Sequence, residues 1–121
     1  MRLRRALLLF ILEVDMLENT FKTGLVKELK SRFPGCIVLH ADPNEIQGIP
    51  DLVVLYEDTW VALEGKKSAK ASHRPNQEYY VEKMNEMSYA AFIYPENKEE
   101  ILNELERSFQ ARRSARLSGC E

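Results

Sequence analysis

Two acids and a lysine near the middle of the chain have the types and spacing for hydrolytic chemistry. Asp51 precedes an apolar run, Leu52-Val53-Val54-Leu55-Tyr56, and Glu64 closes a second one, Trp60-Val61-Ala62-Leu63. Their β-branched and aromatic content predicts two strands, with Glu57-Asp58 as a tight connection. With a two-residue turn, Tyr56 pairs with Thr59 and Asp51 falls opposite Glu64. Glu-Asp is not a favoured turn pair, yet a register one residue off still leaves the carboxylates close. Like charges directly opposite destabilise a sheet and raise each other's pKa. A divalent cation between them removes that conflict, and oxygen ligands without Cys or His point to Mg²⁺ or Mn²⁺ rather than Zn²⁺. Side chains alternate along a strand, so Lys66 shares the face of Glu64 while Gly65 points away. The Lys66 ammonium can then orient an attacking water and offset negative charge on a phosphate in flight. Gly65 has no side chain to obstruct its carbonyl, which can serve as a further metal ligand. Taken singly, an Asp at a strand start or a Glu-x-Lys at a strand end is ordinary solvated surface charge. The combination across a hairpin is what points to a site.

The elements that must position these groups are readable from the same pattern. Asn19 or Thr20 can cap a helix in which Phe21, Leu25 and Leu29 recur on one face until Pro34-Gly35 stop it. Glu18 sits near that face at the first turn, where the helix dipole also favours an acid, and Glu28 lies on a similar face. Cys36-Ile37-Val38-Leu39 reads as a buried strand, and residues 41–50, with Pro43, Asn44, Gly48 and Pro50, as a loop. Residues 65–74 are polar and basic, with Lys66, Lys67, Lys70 and Arg74 and no acid among them. A helix is expected from Pro75 or Asn76 that turns Tyr80, Met84 and Met87 inward. Tyr89-Ala90-Ala91-Phe92-Ile93-Tyr94 is a further strand ended by Pro95, and Asn97 caps a last helix with Ile101, Leu102 and Leu105 on its apolar side. Beyond Gln110, Arg112, Arg113 and Arg116 predict a frayed basic tail. The order is α-β-β-β-α-β-α, with residues 1–15 as an N-terminal extension, 16–110 as the domain and 111–121 as the tail.

Composition agrees with one domain. The chain has 121 residues, 45% apolar, 30% charged and 9% aromatic, with five Gly and five Pro. That length supports a hydrophobic core without staples and excludes collagen, coiled-coil and disordered classes. A formal charge of −2 excludes binding nucleic acid by net charge alone, so any such contact must use locally concentrated charge. Cys36 and Cys120 form no CxxC and no zinc spacing, which argues against a structural zinc or a disulfide framework and for a reducing compartment. Arg2, Arg4 and Arg5 followed by seven apolar residues look like a signal peptide. The run is short of the roughly 20 residues of a membrane span, and Glu13 and Asp15 follow it without a small-residue cleavage site, so no membrane partner is expected. Met16 is an alternative start.

Ile49-Pro50-Asp51 followed by Glu64-Gly65-Lys66 resembles the signature of the PD-(D/E)XK nuclease superfamily. More closely, Gln47-Gly48-Ile49-Pro50-Asp51-Leu52, Leu63-Glu64-Gly65-Lys66-Lys67-Ser68 and Arg74-Pro75-Asn76-Gln77 resemble small phage-encoded VRR-Nuc-like and Holliday-junction-resolvase-like nucleases. The resemblance spans residues 17–105. It implies an α/β fold, a restriction-endonuclease-like αβββαβ core with a central mixed sheet flanked by helices. It implies Asp51 and Glu64 as metal-binding acids, Lys66 as the catalytic lysine and Gln77 as a glutamine beside the site. It also implies an acid on the first helix, for which Glu18 is the candidate and Glu28 the alternative. Lys67, Ser68, Lys70, His73 and Arg74 then lie against the DNA backbone, with a plain solvated loop as the competing reading. His40 and His73 have no partner at metal-ligand spacing, and Tyr79, Tyr80, Tyr89 and Tyr94 are either core residues or base-stacking platforms. The implied activity is Mg²⁺- or Mn²⁺-dependent hydrolysis of DNA, directed by structure at branches, flaps or four-way junctions. Resolvases of this kind act as homodimers, and a phage enzyme works in the host cytoplasm. The alternative is a nuclease-fold module that binds DNA without cutting it.

Overall fold

The computed structural model describes residues 2–119. Its elements are α1 (Arg2–Arg32), β1 (Ile37–His40), β2 (Leu52–Tyr56), β3 (Thr59–Gly65), α2 (Gln77–Met87), β4 (Tyr89–Ile93) and α3 (Lys98–Leu117). The four strands form one mixed sheet in the order β1-β2-β3-β4, antiparallel at the first two pairings and parallel at the third. Parallel neighbours need a crossover, and α2 provides it between β3 and β4. This is a mixed α/β architecture in the expected element order. The hairpin register is also the expected one, with Tyr56 opposite Thr59 and Leu52 opposite Leu63. Glu57 closes the turn at φ 55°, in the left-handed region that this connection demands.

Alternation along the strands gives the sheet two apolar faces. On one, Leu52, Val54, Val61, Leu63 and Ile93 pack against Leu25, Leu29 and Phe33 of α1 and Leu102, Leu105 and Phe109 of α3. On the other, Ala62 and Ala90 are small enough to admit α2, whose Val81 and Met84 rest there beside Trp60 and Phe92. The loop between β1 and β2 is fastened to the start of α2 by close approach. Gly48 has φ 91°, and a Cβ there would lie 2.7 Å from the backbone of Pro75 and Asn76. Only glycine suits that position. The segments 47–52 and 74–77 are thereby brought into contact.

Four expectations need correction. Helix α1 does not start at Asn19 or Thr20 but runs unbroken from Arg2, because residues 3–18 are good helix formers with no Gly or Pro to stop them. Asn19 is mid-helix, its carbonyl accepting from Thr23 Oγ1 at 2.9 Å, and Glu18 is nowhere near a helix terminus. The proposed boundary at residue 16 therefore falls inside an element. Strand β1 is an edge, not a buried strand: α2 covers only β3 and β4 on its side, which leaves Ile37 and Leu39 56% and 48% exposed. Helix α2 begins at Gln77 after Asn76, which has φ 69° and makes no side-chain cap bond. Its inward positions are Gln77, Val81 and Met84, so Met87 is exposed. The basic tail is not frayed. It continues α3 to Leu117, and Arg113 and Arg116 donate at 2.6 Å to the two carboxylate oxygens of Glu57, with Arg113 also bonding the Tyr56 hydroxyl at 2.7 Å. Arg113 holds the Glu57 carboxyl below the usual range. Cys36 is a free thiol, and Cys120 lies outside the described residues. Among the described residues no helix is long and apolar enough to cross a membrane.

Candidate active site

The end of the hairpin away from its turn carries the acids. The Asp51 N–H donates to Glu64 Oε2 at 3.1 Å, and the Gly65 N–H donates to Asp51 Oδ1 at 3.2 Å. Each carboxylate is thus braced by a backbone amide of the opposite strand, a consequence of the register. The Lys66 N–H continues the parallel ladder to the Ile93 carbonyl at 2.8 Å, which fixes where the lysine leaves the sheet.

Gln77 ties the acids to the lysine. It is the first residue of α2 and is buried. Its Nε2 donates to Glu64 Oε1, while its Oε1 accepts from Lys66 Nζ at 2.7 Å and from the Arg74 N–H at 2.7 Å. Lys66 is only 4% exposed, and its ammonium also donates to the Ser72 carbonyl at 3.3 Å. Burial pulls the Lys66 pKa below its ordinary value, against the opposing pull of Glu64 and Glu18. Glu64 is 5% exposed, and burial, then the hydrogen bond and charge of Asp51, push its carboxyl up to about 8. Even with the opposing pull of Lys22, the Glu64 carboxyl of this buried pair therefore keeps its proton at neutral pH.

Lys22 is a member of this charged cluster that sequence reasoning missed. It projects from α1 and forms an ion pair with Asp51 Oδ2. Burial lowers its pKa, but the hydrogen bond and charge of Asp51, aided by Glu18 and Glu64, outweigh that and raise it. The signal was available in the spacing. Lys22 follows Glu18 by one helical turn, so a helix that delivers Glu18 to the site also delivers Lys22.

The two candidates for the helix acid separate cleanly. Glu18 borders a cleft of about 280 Å³ with Lys22, Glu64, Lys66, Arg74 and Gln77, whereas Glu28 pairs with Lys98 at 2.8 Å. Among the described residues no three Asp, Glu, His or Cys side chains converge as metal ligands, so Glu18 rims the acid pair rather than joining it. A second cavity of about 410 Å³ shares Glu18, Lys66 and Arg74 with the first and is lined further by Lys67, Ser68 and Lys70. His73 is not brought there. Its ring stacks on Phe92 with centroids 4.0 Å apart, and its Nδ1 lies 3.0 Å from Glu78 Oε1. Tyr89 donates to Glu104 at 2.5 Å, and Tyr79 and Tyr80 pack edge to face on α2.

No family model, curated protein or solved structure matches the chain. The donor set does fit a hard divalent ion. Mg²⁺ keeps several waters and takes one or two carboxylates together with substrate phosphate, and two braced carboxylates beside a lysine-lined cavity offer that set. In the metal-free molecule the positive charge on Asp51 is the Lys22 ammonium.

Proposed function

We propose that the chain is a Mg²⁺- or Mn²⁺-dependent DNA endonuclease of the PD-(D/E)XK type. The observation that carries the reading is the joining of Asp51, Glu64 and Lys66 through Gln77 into one connected group beside a basic cavity. Asp51 and Glu64, with the Gly65 carbonyl, would hold the ion. When bound, such an ion acts as a Lewis acid and makes water a nucleophile at neutral pH. To serve as a ligand at neutral pH, Glu64 would first have to release its proton to solvent. Lys66, its ammonium fixed by the Gln77 and Ser72 oxygens, stands at the junction of the two cavities. From there it orients the attacking water and offsets charge on the phosphate. Lys67, Lys70 and Arg74 line the larger cavity, where they can take phosphates flanking the scissile one. That local positive charge makes the net charge of −2 no obstacle.

Apart from the exposed first half of α1, the described elements build the sheet and flank the site, and none of them is a separate unit for reading bases. That favours recognition of DNA by structure, as in branches, flaps or four-way junctions, and symmetric cutting of a junction would need a second copy. The test is a cleavage assay on four-way junction, flap, single-stranded and linear duplex DNA. Wild type should cut at least one of these in Mg²⁺, with branched DNA preferred. Glu64→Ala and EDTA should each abolish the cutting. DNA binding without cutting in either Mg²⁺ or Mn²⁺ would replace this reading with that of a silent DNA-binding module.

A further inference from the structure

We propose that Lys22 is the resident cation of the acid pair and the group that a divalent ion must displace, so that this one side chain sets the metal concentration at which the site fills. The inference rests on the reading of Asp51 and Glu64 as metal ligands.

Three observations converge on it. The first is the division of labour on Asp51. Its Oδ1 is turned to the Gly65 N–H, and the other oxygen, Oδ2, is the one that faces a cation, the Lys22 ammonium. The second is the room made for the lysine. A Cβ on Gly65 would lie 2.9 Å from Lys22 Cγ and 3.2 Å from its Cε, so the bare glycine is what lets the stem cross β3 to reach the acids. Gly65 therefore does more than leave a carbonyl unobstructed. The third is the contrast with Lys66. Lys66 is held by two neutral oxygens, those of Gln77 and Ser72, and loses neither when the acids take a metal. Lys22 is held by a carboxylate oxygen for which a metal competes. One lysine is built to stay and the other to leave.

Leaving is also feasible. The Lys22 and Asp51 side chains are each 24% exposed, and a four-carbon stem can swing its ammonium to water or towards Glu18 one turn back on α1. A divalent ion and the Lys22 ammonium repel each other at contact distance on the same carboxylate, so metal entry and the ion pair compete.

The test is a Mg²⁺ titration followed by calorimetry and by thermal denaturation at fixed ionic strength, on wild type, Lys22→Met and Lys22→Arg. Lys22→Met keeps the stem over Gly65 and removes the competitor, so its Mg²⁺ dissociation constant should fall about tenfold, the effect of removing a competing ion pair worth about 1.4 kcal/mol. Its metal-free melting temperature should drop, and saturating Mg²⁺ should restore it to the wild-type value. Lys22→Arg keeps a cation with a better fork for carboxylate and should bind Mg²⁺ more weakly than wild type. It decides the matter alone if Lys22→Met does not fold. If wild type binds Mg²⁺ and neither variant differs from it, the inference falls while the metal site stands. If no protein in the series binds Mg²⁺ or Mn²⁺, the metal site and the inference fall together.

Discussion

Replacing Glu64 by Gln should stabilise the metal-free protein while destroying its response to metal. The buried carboxyl is pushed from 4.5 in an open chain up to about 8, by burial first and by Asp51 second. Between those two values the folded state binds a proton that the unfolded state has released, so folding stability falls as pH rises through the window. At pH 7 the penalty is about 3 kcal/mol, from 1.36 kcal/mol per unit over the part of the window already crossed. Gln at position 64 never ionises and escapes it. It still offers a carbonyl to Gln77 Nε2 but gives up the acceptor for the Asp51 N–H, a loss of about 1 kcal/mol. The net gain at pH 7 is therefore about 2 kcal/mol, and near pH 5 the sign reverses as the ionisation penalty vanishes. Urea unfolding in EDTA at pH 5, 7 and 8 measures it directly. A variant less stable than wild type at pH 7 and 8, or a wild-type stability flat across that range, would refute the assignment of Glu64 as a carboxyl held protonated by its surroundings.

Other parts of the account are open to equally specific checks. Mg²⁺ should release about one proton per site at pH 7, because Glu64 must ionise to bind it, and the apparent affinity should tighten as pH rises towards 8. Calorimetry in buffers of different ionisation enthalpy reads that number. Gln77→Ala leaves the Lys66 ammonium buried with only the Ser72 carbonyl, so it should cost about 1–3 kcal/mol of stability by thermal unfolding and slow cleavage at least tenfold. Gly48→Ala must push a Cβ into the Pro75 and Asn76 backbone at positive φ, and about 2–4 kcal/mol should be lost in urea unfolding. Leu39→Lys on the exposed edge strand should change stability by no more than about 0.5 kcal/mol, against about 2–5 kcal/mol for Leu63→Ala in the core.

The parts of the molecule that were legible in the sequence are those set by short-range rules. Two strand-like runs separated by Glu57-Asp58 leave one sensible register, and that register brings Asp51 to Glu64 and sends Lys66 to the same side. Gln77 is expected beside the site only because Arg74-Pro75-Asn76-Gln77 resembles a segment of known nucleases; no spacing or periodicity in the chain points to it. Asn19 and Thr20 misled because a cap residue acts only where the chain before it is not helical, and here it is. Strand β1 has the composition of a buried strand, yet whether α2 reaches over it depends on where a crossover helix lies, which no local pattern encodes. The same holds for the basic tail. Arg113 and Arg116 look like solvated charge until α3 carries them to Glu57, a residue more than fifty positions earlier in the chain. Lys22 lies one helical turn beyond Glu18, a spacing readable in the sequence, but the room that Gly65 leaves for its stem comes from another element and is not.

The most direct test of the central claim, that Asp51 and Glu64 form a divalent metal site rather than a self-contained salt bridge with Lys22, is calorimetric titration of Mn²⁺ into wild type and Asp51→Asn. The account predicts saturable binding to wild type, with proton release, and its loss in Asp51→Asn. Titrations of the two proteins that show no binding, or the same binding, would contradict it.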